Sequence, residues 1–193
     1  MKDNLYSYVF RGLLTQEALD KTDIRHRYSD GDSLDEEVIK RLSLELLDSE
    51  LIIKAKRMAT VYTAIAALEN SARLFVAKSL LDAKGEDWWN IAVSEKIRKK
   101  AESRQEGEAK VRWHTPRGDQ PLNYTDFGEL TSIIIQNWDD IFEPHLQSLD
   151  WVKQLLKTLE RSRNVIMHSG ELGNEDVERV GGCIRDWVRQ MGT

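Results

Sequence analysis

The sequence predicts an all-α protein, and three observations carry that prediction. Its 193 residues include only three prolines, at positions 116, 121 and 144. Between them run long stretches in which apolar residues recur at the 3.6-residue spacing of an amphipathic helix. No sustained alternation of apolar and polar residues, the period of a half-buried strand, interrupts them.

The elements follow in order. A first helix is expected from Tyr8 to Lys21, then a polar, turn-rich loop at "RHRYSDGDS". Asp32 or Ser33 can cap the next helix, which Asp35, Glu36 and Glu37 favour through its N-terminal dipole and which runs to about Leu47. The third helix spans about Ser49 to Ala83. Its apolar set includes Ile52, Ile53, Met58, Val61, Tyr62, Ile65, Leu68, Ala72, Phe75 and Leu80, a breadth that suits a central, nearly surrounded helix. Gly85 is its natural stop. "DWWNIAVSEKIRKKAESRQEGE" then reads as one helix, with Trp88 and Trp89 as packing residues. Glycines and prolines make 107–124 an irregular loop or small hairpin turning at "TPRGD". Asp126 can cap a short helix over "DFGELTSIIIQNWDDIF". The next helix runs from about Leu146 to His168, and Gly170 and Gly173 break it. Asn174 is expected to cap a final helix with the stripe Val177, Val180, Ile184, Trp187 and Met191.

Composition narrows the function classes. A chain of this length suits a single domain, 1–193, with a hydrophobic core that needs no staples. One cysteine, Cys183, excludes an intramolecular disulfide and a cysteine metal cluster. The N-terminus lacks a signal-peptide core, and no apolar run approaches the roughly 20 residues of a membrane span. A cytoplasmic protein is therefore expected. The net charge of −5 argues against a uniformly positive coat, though it leaves room for a local basic groove.

One stretch breaks the pattern. In the helix that ends at "RNVIMH", Leu149, Val152, Leu156, Leu159, Arg163 and Ile166 form an alternating 3,4 series. Arg163 stands where a leucine belongs, so its guanidinium must snorkel, pair with an acid, or face a groove or a second subunit. Asn164 and His168 share a helix face with Arg161. Arg163 is five residues from His168, about 140° around a regular helix. Spacing alone leaves two readings open. One is a helix end whose positive charge complements the dipole; the other is half of a reactive site.

"RSRNVIMHSGEL", following a leucine-rich helix and preceding a capped one, resembles the signature of the HEPN superfamily. "IAALENSARLFVAKSLL" with "GEDWW" resembles that family's central helix, and "YTDFGELTSIIIQNWDDIF" before "LERSRNVIMH" resembles its Swt-type branch. The resemblance covers about Met58 to Met191, which makes 58–191 a HEPN-like helical bundle and 1–50 an N-terminal helical extension. It implies a metal-independent endoribonuclease with no cofactor, in which Arg163 binds phosphate, His168 moves protons and Asn164 orients the phosphate or the imidazole. The expected product ends are a 2′,3′-cyclic phosphate and a 5′-hydroxyl. Two copies of such a domain usually pair, so a homodimer is expected. Family context suggests a toxin or phage-defence effector, with an antitoxin or regulatory protein as a further partner. The rival reading is a noncatalytic module for dimerisation, RNA binding or partner docking.

Other residues carry two readings each. Glu69 and Arg73 are an i,i+4 ion pair on the third helix; the resemblance also lets Glu69 position Arg163 or His168. The basic run containing Lys96, Lys99 and Lys100 is either a solvated face or a phosphate track. Lys110, Arg112, Trp113, His114 and Arg117 could form a loop that stacks a base. His26, His114 and His145 lack any motif, and no acidic cluster has metal-ligand spacing.

Overall fold

The computed structural model describes residues 37–191. The helix expected at Tyr8 to Lys21, the "RHRYSDGDS" loop, His26 and the capping residues Asp32 and Ser33 lie outside the described residues. Packing divides the chain into two compact units, Met1–Ile53 and Lys54–Thr193.

In the first unit, residues 37–41 are helical, with Arg41 and Glu37 paired across one turn at 2.6 Å. The expected helix does not continue to Leu47. Ser43 takes a left-handed conformation (φ 53°), and only a 3-10 turn, Leu44–Leu46, follows. Leu42, Leu46 and Leu47 are all exposed, so no packed face holds a continuous helix there. Asp48 then accepts hydrogen bonds from the amides of Glu50 and Leu51, capping the long helix that follows.

That helix, α1 (Ser49–Lys84), ends where Gly85 adopts φ 73°. Its buried residues Met58, Val61, Ile65, Leu68, Ala72, Val76 and Leu80 keep one face in the core. The expectation of a nearly surrounded helix is corrected here: Ile53, Tyr62 and Leu74 are exposed, so α1 buries one face only.

The helix expected after Trp88 is two helices, α2 (Trp88–Ala92) and α3 (Glu95–Ala109). The break is fixed from outside. The Asn137 side-chain amide donates to the Ala92 carbonyl at 2.9 Å, and Gln136 accepts from the Ser94 amide at 3.3 Å. Residues 107–124 form no hairpin: α3 continues through Gly107, and an irregular segment leads to a 3-10 turn, Pro121–Tyr124. No strand occurs among the described residues.

Asp126 and Glu129 form a reciprocal capping box at the start of α4 (Phe127–Gln136). One π-helical turn, Trp138–Phe142, joins α4 to α5 (Glu143–Leu146). Ser148 caps α6 (Leu149–Met167), and α7 (Asn174–Met191) closes the described chain. Asn174 is the first residue of α7 rather than its cap. The Val177 amide reaches the Gly173 carbonyl, and the Asn174 side chain accepts from Arg57 instead.

The core of this second unit is one cluster in which α1 meets Phe127, Leu130, Ile133 and Ile134 of α4 and Leu155, Leu156 and Leu159 of α6. At one end Phe75 packs against Phe142 and edge-on to Trp187, each at 5.9 Å between ring centroids. The Trp187 indole donates to Ser71 at 3.0 Å, satisfying its buried N–H. This is the all-α bundle expected from the spacing.

Candidate functional site: a polar cleft at Arg163

Along α6, Val152, Leu155, Leu156 and Leu159 are buried, and the seam then reaches Arg163. Its guanidinium carbon lies 5.0 Å from the centre of the Phe127 ring, a cation–π contact against a fully buried aromatic. Its Nη1 approaches both Glu69 oxygens at 3.5 Å, at the outer limit of a hydrogen bond. Its Nε is buried and has no hydrogen-bond partner among the described residues.

Arg73 provides the contrast. It is buried, and its two terminal nitrogens donate to four acceptors: Leu122 O at 2.6 Å, Thr125 Oγ1 at 2.8 Å, Thr125 O at 2.8 Å and Glu69 Oε1 at 2.6 Å. Arg73 therefore fastens the Pro121–Tyr124 turn to α1 and holds Glu69 in place. Glu69 stands between two arginines but bonds closely to only one. One arginine is committed to the fold. The other meets Glu69 only through long contacts from Nη1.

Arg163, Glu69, Arg73 and Thr125 line one open cleft of about 330 Å³, close to the lower end of the roughly 300–1,000 Å³ usual for ligand sites. Tyr62, Asn70, Arg117 and Asn123 also line it, with Ala66. Tyr62, Asn70 and Asn123 are not among the site residues expected from sequence, where Tyr62 falls in the apolar set of its helix; Arg117 is among them only as a member of the base-stacking loop. Tyr62 and Asn70 stand away from the buried series of α1, which is the one sequence signal that marks them as outward-facing.

His168 and Asn164 do not line this cleft. Both are exposed, and neither side chain has a hydrogen-bond partner among the described residues. His168 is the last residue of the helical turn. Its amide reaches Asn164 O, the Ser169 amide reaches Ile166 O and the Gly170 amide reaches Val165 O at 2.8 Å. That pattern is a Schellman closure, with Ser169 in the left-handed position (φ 60°) that glycine usually takes. Gly170 is needed for another reason: a Cβ there would fall 2.9 Å from the Val165 carbonyl oxygen. The segment beyond is fastened to α1. The Leu172 amide donates to Met58 Sδ at 3.2 Å, Arg57 donates to Asn174 at 2.7 Å, and Lys54 pairs with Glu171 at 3.4 Å. Arg161, on the solvent side of α6, is exposed.

The other expected binding residues lie elsewhere. Lys99 pairs with Glu95 one turn away at 2.7 Å, and Lys96 is exposed on the same helix. Lys100 and Arg104 converge on Glu129, whose side chain is only 8 % exposed. Burial alone would raise the Glu129 carboxyl. Hydrogen bonds from Arg104, the Asp126 amide and Lys100 outweigh it and hold the group below the usual carboxylate range. Arg104 is held more firmly protonated, first by its hydrogen bond to Glu129. Lys100 thus serves a capping box as well as a surface. Arg112 and Trp113 are exposed, Trp113 at 86 %, and Trp113 meets the His114 ring edge-on at 5.8 Å. Cys183 is half-buried, and burial raises its thiol above the ordinary value.

Helices on this plan, with an arginine at the wall of a polar cleft, define an all-α helical bundle. Among the described residues, no helix is long and apolar enough to cross a membrane. The chain belongs to the Swt1-like HEPN family, whose model matches residues 63–192 and so takes in every residue lining the cleft except Tyr62, and the whole of "RNVIMH". HEPN membership makes this, at the family level, a nuclease or RNA-related module; such domains often bind RNA and dimerise. Comparison with curated proteins and with solved structures gave no match.

Proposed function

We propose that this chain is an endoribonuclease that cleaves RNA by internal transesterification. The observation that carries the reading is Arg163, a permanently charged group at the wall of a polar cleft whose Nη1 makes only long contacts with Glu69, at 3.5 Å. Such a guanidinium is suited to take two phosphate oxygens at once. In the reaction the substrate 2′-oxygen attacks the adjacent phosphorus and the bond from phosphorus to the 5′-oxygen breaks. One imidazole removes the 2′-hydroxyl proton, and an imidazolium returns a proton to the departing 5′-oxygen. Arg163 binds the phosphate and stabilises the charge that builds on it, and Asn164 orients the scissile phosphate. The ends produced are a 2′,3′-cyclic phosphate and a 5′-hydroxyl.

His168 stands outside the Arg163 cleft of its own chain, so the active unit is a symmetric homodimer in which each copy supplies its histidine to a shared groove. A metal-independent nuclease of this kind fits a toxin or phage-defence effector in the cytoplasm, restrained by a regulatory or antitoxin protein. A noncatalytic HEPN module is the second reading. It is favoured by one observation, the exposed and unpartnered side chains of Asn164 and His168.

The test is incubation with total RNA in EDTA, comparing wild type, Arg163→Ala and His168→Ala, each shown to be folded. Chelator-resistant cleavage that disappears in both variants supports the enzyme. Equal background in all three establishes the noncatalytic module.

A further inference from the structure

The cleft offers more recognition chemistry than one phosphate contact uses. Arg117 reaches it from the irregular segment before the 3-10 turn, and that segment is built to hold it. Glu108 takes the Arg117 Nε at 2.5 Å and the Arg117 backbone amide at 3.1 Å. The Tyr124 hydroxyl donates to the Gly118 carbonyl at 3.0 Å. Gly118 itself has φ 152°, and a Cβ there would fall 2.1 Å from Asn123 Nδ2. Only glycine lets the Asn123 amide lie against that backbone.

A second observation is the state of the remaining polar groups. The side-chain amides of Asn70 and Asn123 and the Tyr62 hydroxyl line the cleft and have no hydrogen-bond partner among the described residues. Each amide presents donors and an acceptor together, the pairing a nucleobase edge requires. Tyr62 adds an exposed ring. The cleft walls carry three arginines against one glutamate in a chain whose net charge is −5.

We propose that the cleft is a nucleotide subsite, in which Arg117 binds the phosphate of a residue flanking the scissile bond while Asn70 and Asn123 read its base and Tyr62 lies against the ring. This rests on the ribonuclease reading and adds a base preference to it. Arg117 sets affinity, and the two asparagines set selectivity.

The experiment uses His168→Ala protein, with the four nucleoside 3′-monophosphates as probes and NMR titration of the Asn side-chain amides as the readout. One base should bind about fivefold or more tightly than the others, shifting the Asn70 and Asn123 amide signals. Arg117→Ala should weaken all four by about tenfold, the loss of one charge-assisted contact. Asn70→Ala, on the exposed surface of α1, should level the four affinities without unfolding the protein. Equal affinity for the four bases in the parent, or binding unchanged in both variants, overturns the subsite. If wild type still cleaves RNA in that case, the ribonuclease reading survives it. Selective binding by a protein that cleaves nothing supports the subsite and removes the enzyme.

Discussion

Replacing Arg73 by methionine keeps the length of the side chain and deletes its guanidinium. Four hydrogen bonds disappear, to Leu122 O, Thr125 Oγ1, Thr125 O and Glu69. Leu122 O keeps a donor, because the Thr125 hydroxyl reaches it at 2.8 Å. Thr125 O and the Glu69 carboxylate, the latter 14 % exposed, lose their close partner. Removing one member of a buried ion pair costs about 3–5 kcal/mol. Arg163 remains within 3.5 Å of Glu69, so the lower end applies, about 3 kcal/mol. At about 2–4 °C per kcal/mol for a chain of this size, Tm falls by about 6–12 °C. Arg163→Met behaves differently. It removes two long contacts and a cation–π interaction of about 0.5–1 kcal/mol. It also relieves a buried, unpartnered N–H that costs about 1–3 kcal/mol. These contributions oppose one another, so Arg163→Met costs less stability than Arg73→Met. Urea unfolding followed by circular dichroism measures both. A loss under about 1 kcal/mol for Arg73→Met, or a larger loss for Arg163→Met than for Arg73→Met, refutes the division of labour between the two arginines.

Glu129 makes stability depend on pH. Its folded pKa lies below the unfolded value of about 4.3, so its contribution is complete above that value and is lost as pH falls through the folded one. Glu129→Gln should cost about 2 kcal/mol at neutral pH, discounted for the partial exposure of Arg104, and should flatten the acid limb of the unfolding midpoint. An acid limb as steep as wild type's contradicts it. Gly170→Ala forces a Cβ against the Val165 carbonyl and should cost about 1–3 kcal/mol while opening the Schellman closure. Faster hydrogen exchange at the Ser169 amide reports that opening, and unchanged exchange with unchanged stability excludes it.

The parts of this fold that local sequence controls were legible in it. Helix α1 could be read almost to the residue, because its buried 3,4 spacing is long and Gly85 stops it in a left-handed turn. The capping box at Asp126 was half visible, since Asp126 could be seen as a cap. What escaped was decided by distant residues. The α2–α3 break is held by Gln136 and Asn137, more than forty positions away along the chain. Tyr62 looked apolar by residue type, yet it lines a polar cleft that only the 117–125 segment completes. At the site, a misplaced Arg163 was visible as a broken apolar series, and its pairing with Glu69 was among the stated alternatives. Asn123 and Thr125 could not be found this way, because no periodicity links a loop residue to the helix it faces.

The shared carboxylate has a genetic consequence. Glu69 belongs both to the clamp that Arg73 closes and to the cleft that Arg163 lines, so one codon serves the fold and the proposed site together. A screen for loss-of-function alleles should return Glu69 and Arg73 alongside His168. Only the first two should also lower the amount of protein in the cell. Measured allele by allele, abundance against activity would separate the chemistry of this chain from its scaffold without solving another structure.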